Sequence, residues 1–220
     1  MKITVYNIKG SAGKTPLSTN IALDHGYCIG TNESINVYSD LFEEEQQLVV
    51  GQSEEFPLLS KDTDIVFDLS GAISNKSLSI TSAIKQSNVV IVPIYNHLRC
   101  LQGGIQTILE VAQFTKNIIV VATKLTKSKV VGKKKEGNLS IGPYDWTTSE
   151  DYINIKKQVE ANIDFSLPIL PLKFSNGFDL VDDEEKSLIE LTQSSNLLKH
   201  RYGIEAEQLN NIYQEISNHE

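Results

Sequence analysis

Lys9-Gly10-Ser11-Ala12-Gly13-Lys14-Thr15, directly after the apolar-alternating stretch Ile3 to Ile8, decides the reading of this chain. Alternation, then a glycine-bearing loop, then a helical pattern predicts strand, loop and helix in that order. In that setting the loop is a phosphate cradle. Its glycines let the backbone curl until several N–H groups point at one anion. Lys14 sets a point charge against β/γ-phosphates, and Thr15 offers a hydroxyl to a Mg²⁺ shell. The following helix aims its positive end at the same place. Gly10, Ser11, Ala12, Gly13 and Pro16 complete the candidate binding loop. The position where G-x-x-x-x-G-K-[ST] carries its first glycine holds Ile8, and the loop opens instead on a second lysine, Lys9. A bare Gly-Lys-Thr occurs often by chance. The order of strand, loop, lysine pair and helix is what makes it specific against a turn with two solvated lysines.

Composition sets the frame. The chain has 220 residues, 40% hydrophobic and 22% charged, which predicts one globular domain over 1–220 with a full core. No apolar run approaches the ~20 residues that span a bilayer. Met1-Lys2 leads straight into a strand, so no secretory leader is expected, and the expected location is cytoplasmic. There Cys28 and Cys100, both in apolar stretches, read as buried free thiols. His25, His97, His200 and His219 have no ligand spacing and point to no metal.

The net charge of −8 argues against a protein that coats nucleic acid over its whole surface. The charge is uneven, however. Lys116, Lys124, Lys127, Lys129, Lys133, Lys134 and Lys135 crowd one stretch, either a solvated loop or a local patch for DNA phosphates.

Strand and helix patterns alternate along the chain, which predicts an α/β fold with a mainly parallel sheet between two helical layers. Strands are expected at 2–8, 27–31, 64–69, 88–95 and 117–123, with one helix from the loop to about His25 and others at about 75–86 and 100–114. A polar, acidic segment separates the second and third strands. The run 124–144 reads as a long loop, and Thr147-Thr148-Ser149-Glu150 reads as the cap of a helix to about Ile163. Leu167-Pro168-Ile169-Leu170-Pro171 reads as an edge strand, since proline is poorly tolerated in central ones. Helices are expected over 179–200, with a break, and over 204–218. On the last of these, Leu209, Ile212, Tyr213 and Ile216 form an apolar stripe, and Glu205, Glu207 and Glu215 the opposite face. A membrane-surface helix would be basic there, so this helix is expected to pack on the domain.

Asp68 ends the third strand after Ile65-Val66-Phe67. A carboxylate there faces the phosphate loop and can hold Mg²⁺ directly or through water. The small residues Ser70-Gly71-Ala72 that follow offer backbone N–H groups to a γ-phosphate.

Lys9 and Lys14 flanking one loop resemble the deviant Walker A motif of the ParA/MinD ATPases. The likeness extends to Gln86-Ser87-Asn88-Val89-Val90-Ile91-Val92-Pro93-Ile94, to Gly103-Gly104, and to Leu167–Pro171 with Phe178-Asp179 beyond it, near the base. It is absent from 124–145. With no N-terminal DNA-reading extension expected, the chain is similar to the small plasmid-partition ParA type. The resemblance implies the three-layer α/β/α P-loop NTPase fold and slow ATP hydrolysis with Mg²⁺. Lys14 and Thr15 would serve phosphates and metal, with Asp68 behind, and Lys9 would reach the phosphates of a second subunit. An ATP-dependent homodimer, non-specific DNA (a nucleoid-associated location) and a small ParB-like DNA-binding adaptor follow, with no membrane.

The chain departs from the family at the end of the second strand. The family carries Asp-x-Asp there, and Asn32 falls where the water-positioning aspartate belongs, with Glu33 one residue on. The alternatives are a nucleotide-dependent scaffold with little turnover, or a metabolic P-loop enzyme resembling dethiobiotin synthetase.

Overall fold

The computed structural model describes residues 1–34, 37–71, 77–126, 129–130 and 144–219. The elements in chain order are β1 (Lys2–Val5), α1 (Lys14–His25), β2 (Cys28–Thr31), β3 (Gln47–Val49), β4 (Ile65–Asp68), α2 (Leu78–Gln86), β5 (Val89–Ile94), α3 (Leu98–Val111), β6 (Ile118–Leu125), β7 (Lys129–Val130), β8 (Tyr144–Asp145), α4 (Glu150–Asn162), β9 (Ile169–Lys173), α5 (Asp179–Glu184), α6 (Leu188–Ser194) and α7 (Asn196–Ser217). Among the described residues, seven strands form one sheet in the order β3-β2-β4-β1-β5-β6-β9. Every pairing in it is parallel.

Strand alternation sorts the apolar residues onto the two faces of this sheet. Ile3, Val5, Val66, Ile119 and Val121 meet Leu17 and Ile21 of α1, Leu188 of α6, and Leu209 and Ile212 of α7. Ile65, Phe67, Val90, Val92 and Val120 meet Ile84 of α2, Ile108 of α3, and Ile155 and Val159 of α4. This is the three-layer α/β/α P-loop NTPase fold expected from the sequence. β5 and β6 are apolar on both faces because both are covered. The apolar stripe of α7 lies on the sheet, as expected: Leu209, Ile212, Tyr213 and Ile216 are all buried.

Register places the site. Val5 lies level with Asp68 and Ile91, and Thr31 also lies level with Asp68. The loops after β1, β2 and β4 therefore leave the sheet side by side at its carboxyl edge, where parallel α/β sheets open a crevice.

Some boundaries differ from the sequence reading. β3 lies inside the segment read as polar and acidic, because two half-buried residues and the exposed Val49 at an edge leave almost no pattern to detect. β9 runs 169–173, two residues later than expected, and is an edge strand with Pro171 in it. The C-terminal helices break at 185–187 and at Ser195, so α7 starts at Asn196 and carries Lys199 and Arg201. Glu205 is not on its outer face: it is 1% exposed and pairs with Lys173 at 3.0 Å. Within the loop read over 124–144, β7 pairs antiparallel with β8, and residues 131–143 lie outside the described residues. Ser149 caps α4 as its sequence indicated, accepting from the Tyr152 N–H. Cys100 is buried and Cys28 half-buried, both as free thiols.

Candidate functional site

The chain turns out of β1 on Asn7, which is fully buried. Its side-chain amide donates to the Pro93 carbonyl at 2.7 Å and its oxygen accepts the Lys9 N–H at 2.8 Å. Farther along the loop, Thr123 Oγ1 at the end of β6 donates to the Ala12 carbonyl at 2.8 Å. Gly13 has φ +91°, a conformation that side chains disfavour. Ser11 has φ +59°, so a serine holds a left-handed conformation that suits glycine, at a cost of roughly 1–2 kcal/mol. Gly13 caps α1 with no side-chain hydrogen bond. The first-turn N–H groups therefore have no capping side chain and suit an anion.

Lys14 is 8% exposed, and its amine lies 3.3 Å from the Lys9 carbonyl. Burial lowers the pKa of this amine, while the carboxylates of Asp68 and Glu33 oppose the shift. Thr15 Oγ1 donates to Asp68 Oδ2 at 2.7 Å. The Ser18 hydroxyl lies 3.2 Å from Asp68 Oδ1 and 3.1 Å from the Lys14 carbonyl, with one hydrogen to share between them. Tyr38, on the short turn Tyr38–Asp40, donates its hydroxyl to Asp68 Oδ2 at 2.6 Å. Burial and then the Asp68 charge raise the pKa of this phenol well above the ordinary value, so it stays a donor.

Asn32 is buried. Its oxygen accepts the Ser70 N–H at 2.8 Å and its amide donates to Ser79 Oγ at 3.0 Å. It thus fastens the loop after β2 to the loop after β4. Gly71 packs against the start of the loop after β1 so closely that a Cβ there would stand 2.4 Å from the Ile8 carbonyl oxygen. Glu33 is exposed and lies on the wall of a cavity of about 580 Å³. Gly10, Ser11, Gly13, Lys14, Thr15 and Pro16 line that cavity. Lys9 is exposed and off that wall, with its stem laid across Gly103 of α3. Ala12 is buried beneath the loop.

The far wall comes from β9 and the turn beyond it: Lys173, Phe174, Ser175, Phe178 and Asp179. Phe174 is 54% exposed, a large apolar surface presented across the cavity from the glycine-bearing loop after β1. Such a wall suits a flat ring, and the opposite end suits phosphates. The donor set also fits a hard divalent cation. A hydroxyl and a carboxylate stand 2.7 Å apart beside an uncapped helix start. Among the described residues no three or more His, Cys, Asp or Glu side chains are grouped so as to hold a metal ion.

No protein-family model matches the chain, and no curated protein matches it by sequence. Solved structures do match. Apo McdA from Cyanothece superposes with a TM-score of 0.59 at 12% identity, covering 98% of this chain and 98% of that one. The cell division ATPase MinD from Pyrococcus furiosus gives 0.60 at 11% identity, covering 99% and 98%. A Borrelia burgdorferi B31 protein assigned to plasmid partition and bound to AMPPNP gives 0.57 at 11% identity, covering 96% and 97%. The chain has the fold of the ParA/MinD-type ATPases. At such identities this likeness rests on the path of the chain, and the site must be argued from its own side chains.

The sequence singles out Lys14, Thr15 and Asp68, and the structure brings them close together. Sequence reasoning missed Ser18, Tyr38, Asn7 and Thr123. Ser18 stands three residues after Thr15, on the same helix face, so its place was legible. Tyr38 left no signal, since only folding sets the turn after β2 under the end of β4. In the lysine-rich stretch, Lys116 and Lys124 lie over the rings of Phe165 and Tyr95. Lys127 and Lys133–Lys135 lie outside the described residues, and Lys129 is described only as part of β7.

Proposed function

We propose that this chain is an ATP- and Mg²⁺-dependent ATPase that works as a nucleotide switch to position cargo, in the manner of the ParA/MinD proteins. The observation that carries the reading is the convergence of Lys14, Thr15 and Asp68 beneath one cavity, at the uncapped start of α1. The fold shared with McdA and MinD, and the AMPPNP bound by the Borrelia neighbour, support it.

In this reading Lys14 sets its charge against the β/γ-phosphates, and the first-turn N–H groups of α1 receive the same oxygens. Thr15 Oγ1 gives its hydrogen to Asp68 and so turns its lone pairs toward Mg²⁺. When bound, that ion neutralises charge on the phosphoryl oxygens. Phe174 and Phe178 flank the base. Glu33 orients the attacking water, and Asn32 fixes the Ser70 N–H toward the γ-phosphate. Lys9, exposed and free of the cavity wall, serves the phosphates of a second copy. ATP then favours the homodimer, the dimer binds DNA without regard to sequence, and a small ParB-like adaptor stimulates hydrolysis and resets it.

One observation favours a second reading, a nucleotide-dependent scaffold with little turnover. Asn32 cannot act as a base, and both ends of its side chain are engaged within the loop packing.

Light scattering with AMPPNP and Mg²⁺ tests the switch. Wild type should dimerise, Lys9→Ala should bind nucleotide without dimerising, and a normal Lys9→Ala dimer would remove the trans role. A DNA mobility shift tests the partition arm. Binding should need ATP, fall steeply with salt, and weaken when Lys133, Lys134 and Lys135 become Gln. Absence of any shift at low salt would leave a positioning ATPase without DNA. ATP hydrolysis absent with every partner would favour the scaffold.

A further inference from the structure

The Asp68 carboxylate carries more than the phosphate-loop reading requires. Its Oδ2 accepts two hydroxyls, Thr15 Oγ1 at 2.7 Å and Tyr38 at 2.6 Å. A carboxylate oxygen has two lone pairs, so both are taken. Oδ1 is the oxygen that faces Ser18 within α1. Thr15 must keep its hydrogen on Oδ2 to aim its own lone pairs outward. Oδ1 keeps a lone pair beside the one facing Ser18, but Oδ2 is the oxygen in contact with Thr15, so its second lone pair is the one set beside a divalent cation at Thr15, whether directly or through one of its water molecules. Tyr38 fills that pair.

Tyr38 is also well placed to transmit its displacement. Its ring is 1% exposed and meets Phe42 edge-on at 5.9 Å. Its carbonyl accepts the N–H groups of Leu41 at 3.1 Å and Phe42 at 3.0 Å. The same stretch begins just after Asn32 and Glu33, and exposes Val37. A hydroxyl lost from Asp68 thus loosens a compact turn packed at the end of β4.

We propose that the Tyr38 hydroxyl and the divalent cation compete for Asp68 Oδ2, so that loading the site releases Tyr38 and opens the turn 37–42. The proposal rests on the nucleotide reading for its physiological setting, but its test does not. Tyr38→Phe keeps the ring and its packing and removes the competing hydroxyl, together with its contacts to Thr15 and Thr19. Mn²⁺ is the probe, titrated by paramagnetic resonance first without nucleotide and then with AMPPNP. Nucleotide affinity in EDTA is measured by calorimetry beside it.

A hydrogen bond to a charged group is strong enough that its removal should tighten Mn²⁺ binding by about 10-fold or more. AMPPNP affinity in EDTA should stay within about twofold of wild type. A residue that only supports the fold would lower the melting temperature and leave the Mn²⁺ constant unchanged. That result, or weaker Mn²⁺ binding, overturns the proposal. In wild type, hydrogen exchange at Leu41 and Phe42 should speed up when Mg²⁺ and AMPPNP are added, and unchanged protection there also overturns it. If AMPPNP binds neither with the cation nor in EDTA, the nucleotide reading fails, and Mn²⁺ alone still decides whether Tyr38 competes.

Discussion

Lys173→Met should destabilise this protein severely, and the structure says by how much. Lys173 sits on edge strand β9 with its amine 3.0 Å from Glu205 Oε1 and over the Trp146 ring at 5.8 Å. Glu205 is 1% exposed, and its other oxygen, Oε2, is buried without a hydrogen-bond partner. Lys173 therefore supplies the countercharge of a carboxylate that has little else. Methionine keeps most of the aliphatic stem and its volume, and the Lys173 N–H still donates to Gln208 Oε1 at 2.9 Å, so β9 stays tied to α7. What is lost is the charge. Leaving a buried partner uncompensated costs about 3–5 kcal/mol. For a chain of 220 residues that corresponds to a melting temperature lower by about 10 °C. Urea unfolding followed by the fluorescence of Trp146, the single tryptophan, should show a lower midpoint at an unchanged slope. The double variant Lys173→Met/Glu205→Met should recover most of the loss, because an apolar pair replaces the ionic one without a stranded charge. A single variant within about 1 kcal/mol of wild type, or a double variant no better than the single, would refute the reasoning.

Ser11→Gly should stabilise the fold by about 0.5–1 kcal/mol, since it relieves a left-handed serine at φ +59° and gives up some chain entropy; a melting temperature unchanged or lower would show that the loop is not strained there. Lys14→Ala should weaken nucleotide binding sharply while the circular dichroism stays that of wild type, and unchanged affinity by calorimetry would remove the phosphate loop. Asp24 accepts hydroxyls from Ser187 and from Tyr213, the latter at 2.6 Å, and burial raises its pKa above the ordinary 3.8 despite those bonds. A carboxyl raised in the folded state binds its proton more tightly there than when unfolded. Its contribution to stability is thus full below pH 3.8 and is lost as pH rises through the folded value. Urea unfolding of Asp24→Asn across that window should lack this decline, and a curve parallel to wild type would show that Asp24 is not its source.

The layers were legible in the order of residues, and so were the candidate residues Lys14, Thr15 and Asp68 that the fold brings close together. Continuous apolar runs such as Val89–Ile94, set between helical patterns, point to central parallel strands, and the loop from Lys9 to Thr15 follows the alternating first strand. These are local signals, fixed by the period of the chain and by glycine at the turn. Asp68 was legible for the same reason, as the polar end of an apolar run. The tertiary structure alone decided what surrounds that carboxylate. Tyr38 and Thr15 are 23 positions apart, and they share one oxygen because β2 and β4 end level beside β1. It also turned Glu205 inward, against the reading of an acidic outer face, because the Lys173 amine arrives there from β9. The turn at Asn32 looked like a damaged catalytic motif, and folding made it a fastener between two loops. Hydrogen bonds and ion pairs between distant segments depend on register and packing, which the order of residues sets only through the whole fold.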